Sequence, residues 1–347
     1  MDKRTRQRHL QLKTQFCSLR SVTEFSMLVK TEKRKLQLLA AQPAYNTFTV
    51  PKKDGGERLI EAPAPALKKV QGSINRFLQS IYYLEKTTAA HGFVVGVRND
   101  DDRRNILTNA KKHLNKTYLL NIDLQDFFHT VTRDEVLDVF MKPPFNFKRQ
   151  LPDLLADLLT YSGRLPMGAP TSPVLSNFAC REMDRRLTAM AEDMLWAYTR
   201  YADDMSFSSN RNIDEETVNT VIRIIREEGF VPNKRKIKVY GPKDQKVVTG
   251  LLISDKVSLE DNYLAQLETD IRQLGDVLLA QNEQGQLATR WVEQLKQQVR
   301  GRLSFAGFVL GRRHERYNQL KDAYYNAVNP PQEEFGAISW RGFPYNF

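Results

Sequence analysis

Three aspartates carry the chemistry this sequence offers. Asp123 closes the run Tyr118-Leu-Leu-Asn-Ile-Asp123, and Asp203 and Asp204 stand side by side in Tyr198-Thr-Arg-Tyr-Ala-Asp-Asp-Met-Ser-Phe207. In the first run Leu120 and Ile122 alternate with Asn121 and Asp123, the period of a strand with one apolar face. A carboxylate at the exit of such a strand is fixed by the sheet and can reach an ion; taken alone it reads rather as a cap of the next turn. In the second run two adjacent acids are poor strand residues and repel each other. At a hairpin turn they are tolerated, and a divalent cation would offset the repulsion. Three such carboxylates suit phosphoryl transfer assisted by two metal ions. One ion would activate a hydroxyl, and the other would hold a triphosphate and its leaving pyrophosphate. Mg²⁺ fits this set, being a hard ion that takes few carboxylates beside water and phosphate oxygens; Mn²⁺ is the alternative.

The elements that must position these acids follow from the pattern. Residues 1–44 form a basic segment in which Leu10, Phe16, Leu19, Phe25, Leu28 and Val29 recur at helical spacing. Two β-forming runs flank Asp54-Gly55-Gly56 as a hairpin. Helices are predicted over 66–83 and 103–114, followed by a strand at 117–124. Beyond a Pro-rich connection at 142–145 another helix covers 151–162. Pro170 and Pro173 bracket the entry to a helix over 174–194. Residues 196–201 and 205–208 make a second hairpin with the acids at its turn. A helix over 217–228 and strands at 236–240 and 247–253 follow, and the chain from 263 is mostly helical.

Composition narrows the class. The 347 residues are long enough for two or three packed subdomains, and 41% apolar with 27% charged is ordinary for a globular protein. Lys and Arg outnumber Asp and Glu by 52 to 41, a net charge of +11 that favours a polyanionic partner. Ten cations against three acids fall in residues 1–40, and Lys234, Arg235, Lys236, Lys238, Lys243 and Lys246 form a second knot. Either run reads equally as a solvated face. Two cysteines, Cys17 and Cys180, exclude a disulfide framework and a Cys-based zinc site. A charged N-terminus and the lack of a long apolar run point to a cytoplasmic protein with no membrane partner.

On these residues the sequence resembles the reverse transcriptases. Tyr201-Ala202-Asp203-Asp204 is similar to the family's Tyr-Ala-Asp-Asp signature, and the order of motifs resembles a whole polymerase. The resemblance implies that Asp123, Asp203 and Asp204 are catalytic and, with Leu124, hold two Mg²⁺ ions. Leu165-Pro-Met-Gly-Ala-Pro-Thr-Ser-Pro173 resembles the family's template-facing loop. Met167 stands where the family usually has glutamine, which leaves open a polar contact to nucleotide or template. Met167, Gly168 and Tyr201 are thereby expected at template and primer. Lys52, Lys53 and Arg58 fall where the family places cations on the incoming triphosphate. Phe128 resembles the ring that excludes a ribose 2′-hydroxyl, and Lys236 the lysine near the leaving phosphate. Lys52 and Lys53 also read as solvated turn residues, and Phe128 as core.

Two shorter elements resemble retron enzymes in particular. Asn109-Ala-Lys-Lys-His113 matches an Asn-Ala-x-x-His element, with Asn109 and His113 on one helical face. Val248-Thr249-Gly250 matches a Val-Thr-Gly element. All five of Asn109, His113, Val248, Thr249 and Gly250 are expected at a cognate RNA. The fold implied is α/β (α+β), a right-hand polymerase. Fingers would span 45–117, and an antiparallel-sheet palm 118–250, with finger insertions between 129 and 165. A short helical thumb and C-terminal RNA-binding region would span 251–347. The implied partners are a structured non-coding RNA serving as primer and template, its DNA product, dNTPs, host RNase H and an effector protein encoded nearby. Priming from a guanosine 2′-hydroxyl and a role in anti-phage defence come with the same resemblance. Two alternatives stand beside it: a diversity-generating or abortive-infection reverse transcriptase, against which Asn109, His113 and Thr249 speak, and a non-catalytic RNA-binding module, against which the three aspartates speak.

Overall fold

The computed structural model describes residues 3–52, 55–97, 100–148, 150–283 and 290–329. They fall into two compact units, one ending at Lys256 and the next beginning at Val257. The basic N-terminal segment, read as helical throughout, is three helices: α1 (Lys3–Cys17), α2 (Val22–Leu28) and α3 (Lys33–Ala41). Ser21 makes one of the breaks, its hydroxyl accepting from the Glu24 N–H as a cap of α2. Phe16 and Phe25 of the apolar stripe are buried, whereas Leu10 stays exposed.

A hairpin of β1 (Tyr45–Pro51) and β2 (Glu57–Pro63) pairs Tyr45 with Pro63 through to Pro51 with Glu57. Next comes α4 (Pro65–Glu85), with proline in its first turn and Leu67, Val70, Ile74, Phe77, Leu78 and Ile81 buried along one stripe. Phe77 stacks on Phe16 with ring centroids 5.4 Å apart, which ties α1 to α4. The short α5 (Ile106–Lys111) begins at a capping box of Asn105 and Thr108, later than the pattern predicts.

After β3 (Tyr118–Asp123) come α6 (Phe127–Thr130), α7 (Arg133–Met141) and α8 (Gln150–Leu159). The helix predicted over 174–194 is two, α9 (Ser172–Ala179) and α10 (Arg181–Asp193), because Cys180 sits at ψ −1 and serves both ends. β4 (Ala197–Tyr201), β5 (Asp204–Ser209), α11 (Glu215–Glu227), β6 (Lys238–Tyr240), β7 (Lys246–Val248) and β8 (Leu251–Ile253) complete this unit. Residues 247–253 are thus not one strand. Thr249 and Gly250 take φ +48 and +75, the pair of positive values a two-residue hairpin turn requires, and β7 and β8 run antiparallel. β8 lies in the first unit, and the second unit begins at Val257, six residues past the boundary expected at 251.

The central sheet has the order β4-β5-β3-β6. One of its faces sends Leu120, Ile122, Met205 and Phe207 into a core shared with Leu175 and Leu187 of α9 and α10. Each such side chain contributes about 1.5–3 kcal/mol on burial, enough to specify which face points inward. The second unit holds α12 (Asp261–Glu283), α13 (Arg290–Leu310) and α14 (Glu315–Val328) around Leu267, Ile271, Leu274, Val299, Leu303 and Leu320. Among the described residues no helix is long and apolar enough to cross a membrane.

Candidate active site

The sheet register brings the acids together. β3 and β5 pair so that Asp123 lies opposite Asp204, Ile122 opposite Met205 and Leu120 opposite Phe207. β4 sets Tyr201 opposite Asp204, so only Ala202 and Asp203 form the turn, with Ala202 at φ +59. The Asp203 carbonyl accepts from the Leu124 N–H at 3.0 Å, which joins that turn to the end of β3. Leu124 itself is buried and apolar, leaving its own carbonyl as the one atom it can offer an ion.

Asp123 is held from a third side. The Asn233 N–H donates to its carbonyl at 2.8 Å, Asn233 Nδ2 donates to Oδ2 at 3.2 Å, and Lys236 Nζ lies 3.3 Å from Oδ1. Asn233 escaped the sequence reading as a site residue, although it ends the Gly-Phe-Val-Pro-Asn run that leads to Lys236. Partial burial, then the like charges of Asp203 and Asp123, push Asp204 up to about 6. Asp203 is raised by burial and by Asp123, against the opposing pull of Lys236 and Arg58. A divalent cation would relieve both shifts. Among the described residues no three acidic, His or Cys side chains close into a cage by themselves. The donor set is instead the open kind that Mg²⁺ accepts, a few carboxylates with room for water and phosphate oxygens.

Asp123 and Asp203 open onto a cleft of about 780 Å³. Lys52, Arg58 and Lys236 bring positive charge to it, and Phe128, Met167 and Gly168 line it too. Lys53 lies outside the described residues. The loop bearing Met167 is pinned to the hairpin: the Glu61 N–H donates to the Met167 carbonyl at 2.7 Å, and Arg164 grips both Glu61 carboxylate oxygens at 2.8 and 3.0 Å. Gly168, at φ +138, could not carry a side chain, since a Cβ would come within 2.7 Å of the Glu61 carbonyl.

Behind the Ala202-Asp203 turn lies a set of residues the sequence reading passed over. Arg200, fully buried, donates from Nη1 to the Ala202 carbonyl and to Asn177 Oδ1, both at 3.1 Å. Asn177 Nδ2 in turn donates to the Gly92 carbonyl at 2.9 Å. Gly92 rests against the turn so closely that a Cβ would lie 2.5 Å from the Ala202 nitrogen. An arginine within an alternating strand reads as solvent-facing; its burial follows from Asp184, which α10 supplies.

Of the five residues expected at RNA, three are buried. His113 is 1% exposed, with Ser208 Oγ and Thr199 Oγ1 each 2.7 Å from a ring nitrogen, so its ring is taken up by the sheet it packs against. Burial, then Lys116, lowers its pKa to about 3, which keeps the ring neutral. Asn109 is equally buried, and its Nδ2 points to Thr249 Oγ1 at 3.5 Å. Val248 is core. Thr249 and Gly250, however, form the β7–β8 turn and line a second cleft, of about 330 Å³, together with Tyr201 and Asp204. Of the expected group, only these two share a surface with the acids.

Residues 50–264 match the family described as reverse transcriptase (RNA-dependent DNA polymerase). The chain is 32% identical over 256 residues to the retron Ec86 reverse transcriptase of Escherichia coli, covering 71% of this chain and 75% of that one. It is 34% identical over 248 residues to the retron Mx65 reverse transcriptase of Myxococcus xanthus, covering 66% of this chain and 56% of that one. Among solved structures, a telomerase of Candida albicans in complex with a fragment of telomeric RNA aligns with a TM-score of 0.48 and 10% identity, over 84% of this chain and 64% of that one.

Proposed function

The chain belongs to the retron reverse transcriptases, RNA-directed DNA polymerases of the right-hand fold, and from that membership we propose that it copies a cognate structured RNA into DNA that stays joined to the RNA. The observation that carries the reading is the pairing of Asp123 with Asp204 beside Asp203, with Asp123 and Asp203 lining a cleft that also holds Lys52, Arg58 and Lys236. In this reading Asp123, Asp203 and Asp204 hold divalent ions of the Mg²⁺ class, which when bound supply an activated hydroxyl and charge neutralisation on the triphosphate.

This chain's own residues do the rest. Arg58 and Lys236 stand where the phosphates of an incoming nucleotide enter, and their cations stabilise the charge that builds on the leaving group. Lys236 also donates to Asp123, so one ammonium serves both the acid and the phosphates. Phe128 flanks the position of the sugar and disfavours a 2′-hydroxyl. Met167 and Gly168, fastened to β2, shape the wall against the templating strand. The Thr249-Gly250 turn, beside Tyr201 and Asp204, is suited to hold the primer hydroxyl, here the 2′-hydroxyl of an RNA guanosine. RNA-linked DNA, host RNase H and an effector partner in anti-phage defence belong to the same proposal.

The test replaces Asp203 and Asp204 with asparagine. The amides keep the shape and lose the charge, so nucleotide incorporation should fall by about a thousand-fold or more while RNA retention in a gel shift is kept. Undiminished synthesis would remove the assignment of these acids. A labelled DNA product that survives on the cognate RNA until RNase treatment supports the RNA-linked part, and free DNA alone would end it.

A further inference from the structure

We infer that Phe93 is a positioning residue for sugar selection, holding the Phe128 ring where it refuses a ribose 2′-hydroxyl. The inference rests on the reading of Phe128 as the sugar-excluding ring. Three observations carry it. Phe93 and Phe128 both line the cleft that holds Asp123 and Asp203, with ring centroids 5.8 Å apart and planes inclined by 31°. Phe127 lies against Phe128 at 5.5 Å, so the ring has two aromatic neighbours.

Phe93 also sits at φ +58, a conformation a bulky side chain seldom adopts and that persists where the surroundings impose it. A glycine would take it freely, so the phenylalanine is kept against the backbone's preference.

The third observation says what imposes it. The preceding residue, Gly92, is pressed onto the backbone that carries Asp203, where a Cβ would lie 2.5 Å from the Ala202 nitrogen and 3.0 Å from the Tyr201 carbonyl carbon. The His91 N–H donates to the Arg200 carbonyl at 2.8 Å, and the Gly92 carbonyl accepts from Asn177. The segment is therefore fastened to the turn of the aspartates just before it bends to deliver the Phe93 ring. One residue links the place where ions would bind to the ring that limits the sugar. Packing alone rejects an added hydroxyl by only about a hundredfold, so such discrimination depends on how firmly the ring is held.

The test compares kcat/KM for a dNTP and the matching rNTP on an annealed primer and RNA template, using the full chain. Phe93→Gly suits the local backbone and removes only the ring; Phe93→Leu keeps bulk without a flat face. The rNTP to dNTP ratio should rise by about tenfold in Phe93→Gly and less in Phe93→Leu. Because Phe93 acts through Phe128, Phe93→Gly should add nothing in a Phe128→Val background. An unchanged ratio in both Phe93 variants, while Phe128→Val relaxes it, overturns the inference, as does full additivity of the two sites. If Phe128→Val itself leaves the ratio unchanged, the reading of Phe128 falls and takes the inference with it.

Discussion

Arg200 and Asp184 form an ion pair from which solvent is wholly excluded, Nε and Nη2 donating to the two carboxylate oxygens at 2.8 and 2.7 Å. Burial opposes the charge on Arg200, but Asp184 outweighs it and holds the guanidinium pKa well above its ordinary value. Tyr198 and Thr87 hydroxyls donate to the same carboxylate at 3.0 Å. With every oxygen satisfied, the pair forms a rigid backing for the Ala202 carbonyl.

Removing one partner strands the other in the core. Arg200→Met or Asp184→Leu alone should cost about 3–5 kcal/mol of stability, and the two together less than their sum. Urea unfolding of the three variants measures this, and strictly additive costs would mean that the side chains act independently. At matched folded fraction the double variant should extend a primer more slowly than the wild type, since the Ala202 carbonyl has lost its donor.

The raised pKa of Asp204 makes a prediction with a definite sign. Between its ordinary value of 3.8 and about 6 the folded metal-free protein binds more protons here than the unfolded chain, so this group's contribution to stability falls as pH rises through that window. Asp204→Asn removes the effect, and its melting temperature relative to wild type should climb from pH 4 to 6 and then level. Added Mg²⁺ should stabilise the wild type at pH 7.5 and progressively less below pH 6, where the carboxyl is protonated. A wild-type response to Mg²⁺ that is flat across this range would contradict it.

His113 predicts the opposite slope. Its pKa is lowered to about 3, so the unfolded chain takes up the proton first, and stability is lost as pH falls below about 6.5. His113→Ala leaves the buried hydroxyls of Ser208 and Thr199 without their partner and should cost about 2–4 kcal/mol. Extension on an unrelated template should then drop in step with the folded fraction. A stable variant that fails only on one RNA would restore a recognition role.

Much of the site was legible in the sequence because its logic is local. Alternation in 118–123 and the unfavourable Asp-Asp pair each point to a strand end and a turn, and the two meet as read. The rest depends on distant partners. Nothing near His113 announces hydroxyls 86 and 95 residues away in the chain. Arg200 is buried only because a helix brings Asp184. The break at Thr249 was missed because a β-branched residue is a poor candidate for positive φ, so Val-Thr-Gly followed by Leu-Leu-Ile read as one strand.

The pairing of Asp123 with Asp204 has a consequence for how this protein can fail. Strand alignment changes only in whole residues, and a slip of one in β3 would carry Ile122 to the acid end and turn Asp123 toward the core. No intermediate offset exists in which the carboxylates are merely a little apart. Mis-paired molecules would therefore be dead, not slow. A preparation weakened in the Leu120, Ile122, Met205 and Phe207 layer should behave as a mixture of fully competent and inert molecules, its average rate counting the aligned ones.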